Sequence, residues 1–303
     1  MAKFKQYVLP LAIILGLLLH KWCAYFAFLA PILIFTILLL TFSAVDIRKL
    51  RLTLFDVELM AYQIVVSAAL YLAIRAFGGN KIIAEGVMMG ALSPVAASST
   101  VVSCMLGANR ERVTTYTIVG NLMVAIVAPI FFTLIGDHPE HDLGTAYTLM
   151  MVKIGSVLAL PLFIILILQI WLPKVNQAIA KRTGWSYYVW AVALLITLGQ
   201  TIHYIIEKGE GNWSYIIILS ILSLIFCIIQ FRLGRIFGRR HGDIVGGGQM
   251  MGQKNSAMGI WMANTFLNPL SSVFMAFYSV FQNLYNAWQL SNLNKERNNT
   301  LTH

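Results

Sequence analysis

Apolar runs of about 18 residues or more recur along nearly the whole of this 303-residue chain, and that pattern limits the fold more than any motif does. Runs of this length match the hydrocarbon thickness of a bilayer. They are continuous in Leu, Ile, Val, Ala and Met, whereas a transmembrane barrel needs short alternating segments, so helices are expected. Ten spans are read at about 7–20, 23–44, 55–77, 82–106, 113–136, 144–172, 185–206, 213–236, 243–265 and 267–290. The expectation is an all-α polytopic membrane protein with no cleavable signal peptide, since the first run leads straight into the second.

Loop charge tests those spans independently. With the N-terminus inside, 16 lysines and arginines fall on the cytoplasmic side and four, Lys21, Arg75, Lys81 and Lys208, on the outer side. The loop from Asp137 to Asp142 has no lysine or arginine. This bias places both termini in the cytoplasm, with the chain in a plasma membrane, a bacterial inner membrane on its compact form. The net charge of +10 is spread over short loops and forms no basic domain, so membrane topology explains it and nucleic acid is excluded as a partner. Cys23, Cys104 and Cys227 lie far apart in apolar runs without metal-ligand spacing.

Ten spans divide into five and five, 1–142 and 143–303, and the second set then enters the membrane from the opposite side as an inverted repeat. The fourth and ninth spans, at corresponding places, are both broken by small and polar residues: GALSPVAASSTVVS from Gly90 and GGGQMMGQKNSAMG from Gly246. Unwound helices survive in a membrane only where the freed backbone is covered by protein or lines a wet cavity, so the two breaks mark a binding site at mid-membrane.

Two lysines lie inside spans. Lys254, about a dozen residues into the ninth span beside Gly252 and Asn255, is too deep to reach an interface easily and is read as functional. Lys153, about ten residues into the sixth, reads equally as a substrate or cavity contact and as a structural tie. Asn255 is read as a cavity residue, while Gln282 and Asn283 are read as interhelical hydrogen-bond partners. Glu58 and Glu85, near span ends, are read as interfacial. Met250, Met251, Met258 and Met262 form a cluster of adaptable packing in which Met251 is placed to line a pocket.

Several stretches together resemble the bile acid:sodium symporter family: SPVAASST in the fourth span, QKNSA in the ninth and SVFQNLYNA in the tenth. FDVELMAYQIVVSA in the third span, VKIGSVLALPLFIILIL in the sixth and FRLGRIFGRR before the ninth also fit, in order and at matching spacing. The resemblance implies a panel of spans 1, 2, 6 and 7 and a core of spans 3–5 and 8–10, in which spans 4 and 9 unwind and cross. It implies transport of a small organic anion, such as a bile acid, steroid sulfate, pantoate or another carboxylate, coupled to two sodium ions near the crossing. No organic cofactor is implied. Substrate would lie between panel and core, near Pro94, Lys254, Asn255, Ser256 and Lys153.

Carried over by position, the first sodium site would use Ser99, Thr100, Thr114 and Thr117. Hydroxyl and carbonyl oxygens suit a hard cation. The second would use Gln63 and the ninth-span backbone around Gln249, Met250, Met251 and Gln253. Here the chain departs from the family: a sodium-binding glutamine becomes Lys254, and a glutamate touching both ions becomes Met250, with the uncharged Gln249 beside it. An ammonium donates three hydrogen bonds and accepts none, so Lys254 cannot ligate sodium. The expectation is that Lys254 occupies the second ion's place, leaving transport sodium-independent or coupled to protons. Conventional sodium symport, a channel and a non-transporting sensor on the same fold are the alternatives. No P-loop, HExxH or GxSxG motif supports an enzyme or a nucleotide-driven pump.

Overall fold

The structure is a computed structural model describing residues 8–47, 50–96, 98–136, 142–208 and 212–301. Lys3, Lys5, Arg48 and Lys49, counted above as cytoplasmic, lie outside the described residues, as do residues 137–141 of the loop expected outside. The chain forms fourteen described α-helices: α1 (Val8–Leu18), α2 (His20–Tyr25), α3 (Ala30–Ser43), α4 (Leu54–Ala76), α5 (Lys81–Leu92), α6 (Ser98–Met105) and α7 (Arg110–Ile135). There follow α8 (Leu143–Trp171), α9 (Pro173–Ala180), α10 (Ser186–Lys208), α11 (Trp213–Arg240), α12 (Ile244–Gly252), α13 (Ser256–Phe266) and α14 (Ser272–Leu301).

Short polar side chains start these helices. Asn80, Asn109, Asp142, Asp243 and Asn255 each accept a backbone N–H of the first turn that follows, groups the helix itself leaves unpaired. The hydroxyl of Thr145 and backbone N–H groups hold the Asp142 carboxyl below the usual carboxylate range. Large apolar side chains such as Leu17, Val152, Phe163 and Ile221 stay exposed on α1, α8 and α11, as a surface in contact with lipid requires.

Among the described residues, five helices are long and apolar enough to cross a membrane: Leu54–Ala76, Arg110–Ile135, Leu143–Trp171, Thr183–Glu207 and Trp213–Arg240. The other five expected spans take different forms for local reasons. The fourth and ninth are each two half-helices, α5 with α6 and α12 with α13. The first and second are short, because the run between them is divided into α2 and a 310 turn, Ala27–Leu29. The tenth, α14, is 30 residues long but turns polar at NLNKERNN.

Helix α10 packs on α1, α2 and α3, and α3 packs on α8. The closest helix pair in the remainder is α11 with α12, where glycine backbones meet. A Cβ on Gly247 would come within 2.2 Å of the Gly234 carbonyl oxygen, and one on Gly234 within 2.2 Å of the Gly247 oxygen. Neither contact can be relieved by rotating a side chain. Gly247→Val is therefore expected to destabilise the fold by about 3 kcal/mol, the upper range for overpacking, read as a lowered melting temperature of the purified chain.

Candidate functional site at the helix crossing

The two breaks follow from local chemistry. Helix α5 ends at Leu92 because Pro94 has no N–H and biases Ser93 out of the helical region; Ser93 has φ −52° and ψ 136°. Helix α12 ends at Gly252, Gln253 is extended at φ −94° and ψ 93°, and Asn255 caps α13 through the Met258 N–H at 3.1 Å. The broken segments then satisfy each other as a short antiparallel pair, Val95 opposite Lys254. Ala96 N–H donates to the Gln253 oxygen at 3.0 Å, and Asn255 N–H to the Pro94 oxygen at 2.7 Å. Gln282 on α14 completes the pairing. Its Oε1 accepts from Lys254 N–H at 2.8 Å and its Nε2 donates to the Lys254 carbonyl at 2.9 Å. In a membrane an unpaired backbone group has no water to turn to, so this pairing makes the breaks tenable.

The side chain of Lys254 is only 2% exposed, and its Nζ donates to the Ala91 carbonyl in the last turn of α5 at 3.0 Å. A helix C-terminus carries partial negative charge and favours a cation there. The neighbouring carbonyls are also covered: Gln63 Nε2 donates to the Leu92 oxygen at 2.7 Å and to the Ser93 oxygen at 3.1 Å. Tyr116 OH in turn donates to Gln63 Oε1 at 3.2 Å. At the end of α12, Tyr278 OH covers the Gly252 carbonyl at 2.8 Å. Among the described residues Lys254 forms no ion pair, and no group of three or more His, Cys, Asp or Glu is placed to hold a metal. Carbonyls at both broken helix ends are thus covered by protein donors, one of them Lys254 Nζ.

The remaining candidates separate into two groups. Ser99 Oγ donates to the Gln249 carbonyl at 3.4 Å, Thr114 Oγ1 lies 3.5 Å from Thr100 Oγ1, and Thr114 and Thr117 each donate to the carbonyl one turn back in α7. Thr100 and Thr114 thus meet across α6 and α7, while Ser99 turns to α12 and Thr117 to its own helix. Ser256 Oγ meets Ser279 Oγ at 3.0 Å, and Gln253 is buried. Met250 and Met251 pack with Phe55, Leu59, Val95, Val113 and Tyr116. Gln249 turns to α14, where its Nε2 donates to Asn286 Oδ1 at 2.9 Å. Lys153 is exposed on α8 and, among the described residues, takes no part in the hydrogen bonds of the crossing.

Away from the crossing, Glu85 accepts the Asn268 N–H at 3.0 Å and lies 3.9 Å from Lys81, while Glu58 pairs with His241 at 2.9 Å. Both carboxylates therefore have local partners. Sequence reasoning missed Tyr116, Tyr278 and Asn121. Asn121 Nδ2 donates to Thr117 O at 2.6 Å and to Val95 O at 3.4 Å, and its buried Oδ1 has no partner among the described residues. The available signal was its place one turn beyond Thr117 in an otherwise apolar run.

Two half-helix breaks that pair across the molecule accord with the resemblance noted in the sequence, and a family comparison decides the matter. Residues 28–291 match the SBF-like CPA transporter family (DUF4137). The chain belongs to that family. SBF-like proteins are related to the bile acid:sodium symporters and are membrane transporters rather than enzymes. A comparison with curated proteins finds no match. This SBF-like chain is accordingly an integral, multi-pass membrane protein built from α-helices.

Proposed function

We propose that this SBF-like protein carries an organic anion by alternating access, with Lys254 standing where the bile acid:sodium symporters hold their second sodium ion. The observation that carries this reading is the buried Lys254 Nζ on the Ala91 carbonyl, among carbonyls already covered by Gln63 and with Met250 where a glutamate would compensate. A sodium ion about 4 Å from that ammonium would meet repulsion of roughly 4 kcal/mol at an effective dielectric of about 20. That weakens binding about a thousandfold. The residues at the second site therefore do not fit sodium. Release of the Lys254 proton during the cycle would instead couple transport to protons.

An uncompensated positive charge at the crossing favours an anionic solute, and the apolar walls around it favour one with a hydrophobic body. The reading includes ten crossings in two inverted repeats, 1–142 and 143–303. Support comes from the paired breaks at corresponding places and from α10 packing on α1, α2 and α3 as a panel would. It also includes an inner-membrane location with both termini cytoplasmic, supported by the loop charges.

A second reading keeps one sodium ion at Ser99, Thr100, Thr114 and Thr117, and the buried Asn121 Oδ1, which has no partner among the described residues, favours it. These are hard oxygen donors that fit sodium in kind.

Counterflow in proteoliposomes tests the transport reading. Labelled taurocholate or pantoate is expected to exchange saturably with choline in place of sodium, and exchange is expected to vanish in Lys254→Met. Exchange that requires sodium, or that survives in Lys254→Met, would overturn the role given to Lys254.

A further inference from the structure

We infer that a cleft at the end of α11, separate from the crossing, binds a phosphate group through Arg235. The cleft has a volume of about 240 Å³ and is lined by Leu106, Arg235, Val245, Trp288, Gln289 and Asn292, with Leu293 at its edge. It lies between α11, the first turn of α12 and α14, with the end of α6 closing one side.

Arg235 is half-buried, and its only hydrogen-bond partner among the described residues is neutral, the Oε1 of Gln289. A guanidinium has five N–H donors in a planar fork that matches phosphate oxygens, so one amide leaves most of its capacity unused. The amide is itself oriented from behind. Gln289 Nε2 donates to Asn286 Oδ1 at 3.2 Å, and the same oxygen accepts from Gln249 Nε2 at 2.9 Å, so Gln289 must turn its oxygen towards Arg235. Asn286 is 5% exposed and its Nδ2 has no partner among the described residues, which leaves another donor in this polar file.

No aspartate or glutamate lines the cleft among the described residues. The nearest acidic side chain in sequence, Asp243, is already occupied: Oδ1 accepts from Gly246 N–H at 2.8 Å and Oδ2 from Asn109 N–H at 3.2 Å. Val245, in the wall, belongs to the first turn of α12. Trp288 at the mouth is 55% exposed, the position an aromatic residue takes at the level of lipid headgroups. The phosphate is therefore either free or presented by an anionic lipid headgroup, and the chemistry recognised is the same.

The test measures melting temperatures of the purified full chain against increasing inorganic phosphate, short-chain phosphatidylglycerol and short-chain phosphatidylcholine. Wild type is compared with Arg235→Gln and with Asn292→Asp, which tethers a competing carboxylate in the cleft. Phosphatidylglycerol is expected to raise the melting temperature of wild type more than phosphatidylcholine, with half-maximal concentration roughly tenfold or more higher in both variants, as loss of a charged hydrogen-bond partner predicts. An equal response to inorganic phosphate would assign the site to free phosphate, and a response to phosphatidylglycerol alone would assign it to lipid. No response in wild type, or the same response in the variants, would overturn the inference. Should Arg235→Gln fail to fold, Asn292→Asp decides alone, because its carboxylate sits on a partly exposed position. Binding is read without flux, so failure here and failure of the transport reading are distinguishable.

Discussion

Gln282→Leu is expected to lower the stability of the purified chain by about 2–6 kcal/mol. Its amide satisfies both backbone groups of Lys254, and leucine of similar size leaves a buried N–H and a buried C=O unpaired. Each such group costs about 1–3 kcal/mol where nothing replaces its partner. Gln282→Ala is expected to do less harm if the vacated space admits water. A thermal melt of the two variants separates these outcomes: leucine below alanine supports lost pairing, and alanine well below leucine supports lost packing instead. The effect on transport is expected to exceed the effect on folding, because the pairing sets the positions of Lys254 Nζ and Asn255 together.

Met250→Glu combined with Lys254→Gln is expected to create a sodium response that wild type lacks. The pair restores, at both departed positions, the residue types that the resemblance assigns to the sodium symporters. The glutamate returns a negative charge, and the glutamine removes the ammonium while keeping a donor for the Ala91 carbonyl. An ion that binds only the folded state stabilises it by RT ln(1 + [L]/Kd), about 2.7 kcal/mol at a hundredfold excess over Kd. Lys254→Gln alone removes the repulsion without supplying the compensating charge, so its response is expected to be smaller.

Much of the crossing was legible in the sequence because its causes are local. Pro94 stops one half-helix, Gly252 ends another, and Asn255 starts the next by capping it. A lysine amid glycines and amides in an apolar run was equally visible. What the ammonium touches was not, since Ala91 is 163 residues away and its carbonyl is matched to Lys254 only by the fold. Lys153 shows the same limit from the other side. Hydropathy gave it a depth like that of Lys254, but depth carries no direction, and α8 leaves it exposed. Tyr116 and Tyr278 drew no reading from the sequence, which shows their rings and hides the partners of their hydroxyls, Gln63 and the Gly252 carbonyl. Length likewise recovers only helices that run unbroken, so the half-helices that build the site are the ones a length rule passes over.

The same two lysines explain why composition could suggest a transporter and leave its coupling open. A buried lysine with no carboxylate partner among the described residues poses a question of charge balance, and the balance depends on what else reaches the site. The melting temperature of wild type in sodium chloride, against potassium and choline chlorides at equal ionic strength, tests that most directly, with the Met250→Glu/Lys254→Gln variant alongside. No sodium-specific rise in wild type and a clear one in the variant is the predicted result. A sodium-specific rise in wild type would contradict sodium-independent transport, and its loss in Thr114→Val would locate the ion among the hydroxyls of α6 and α7.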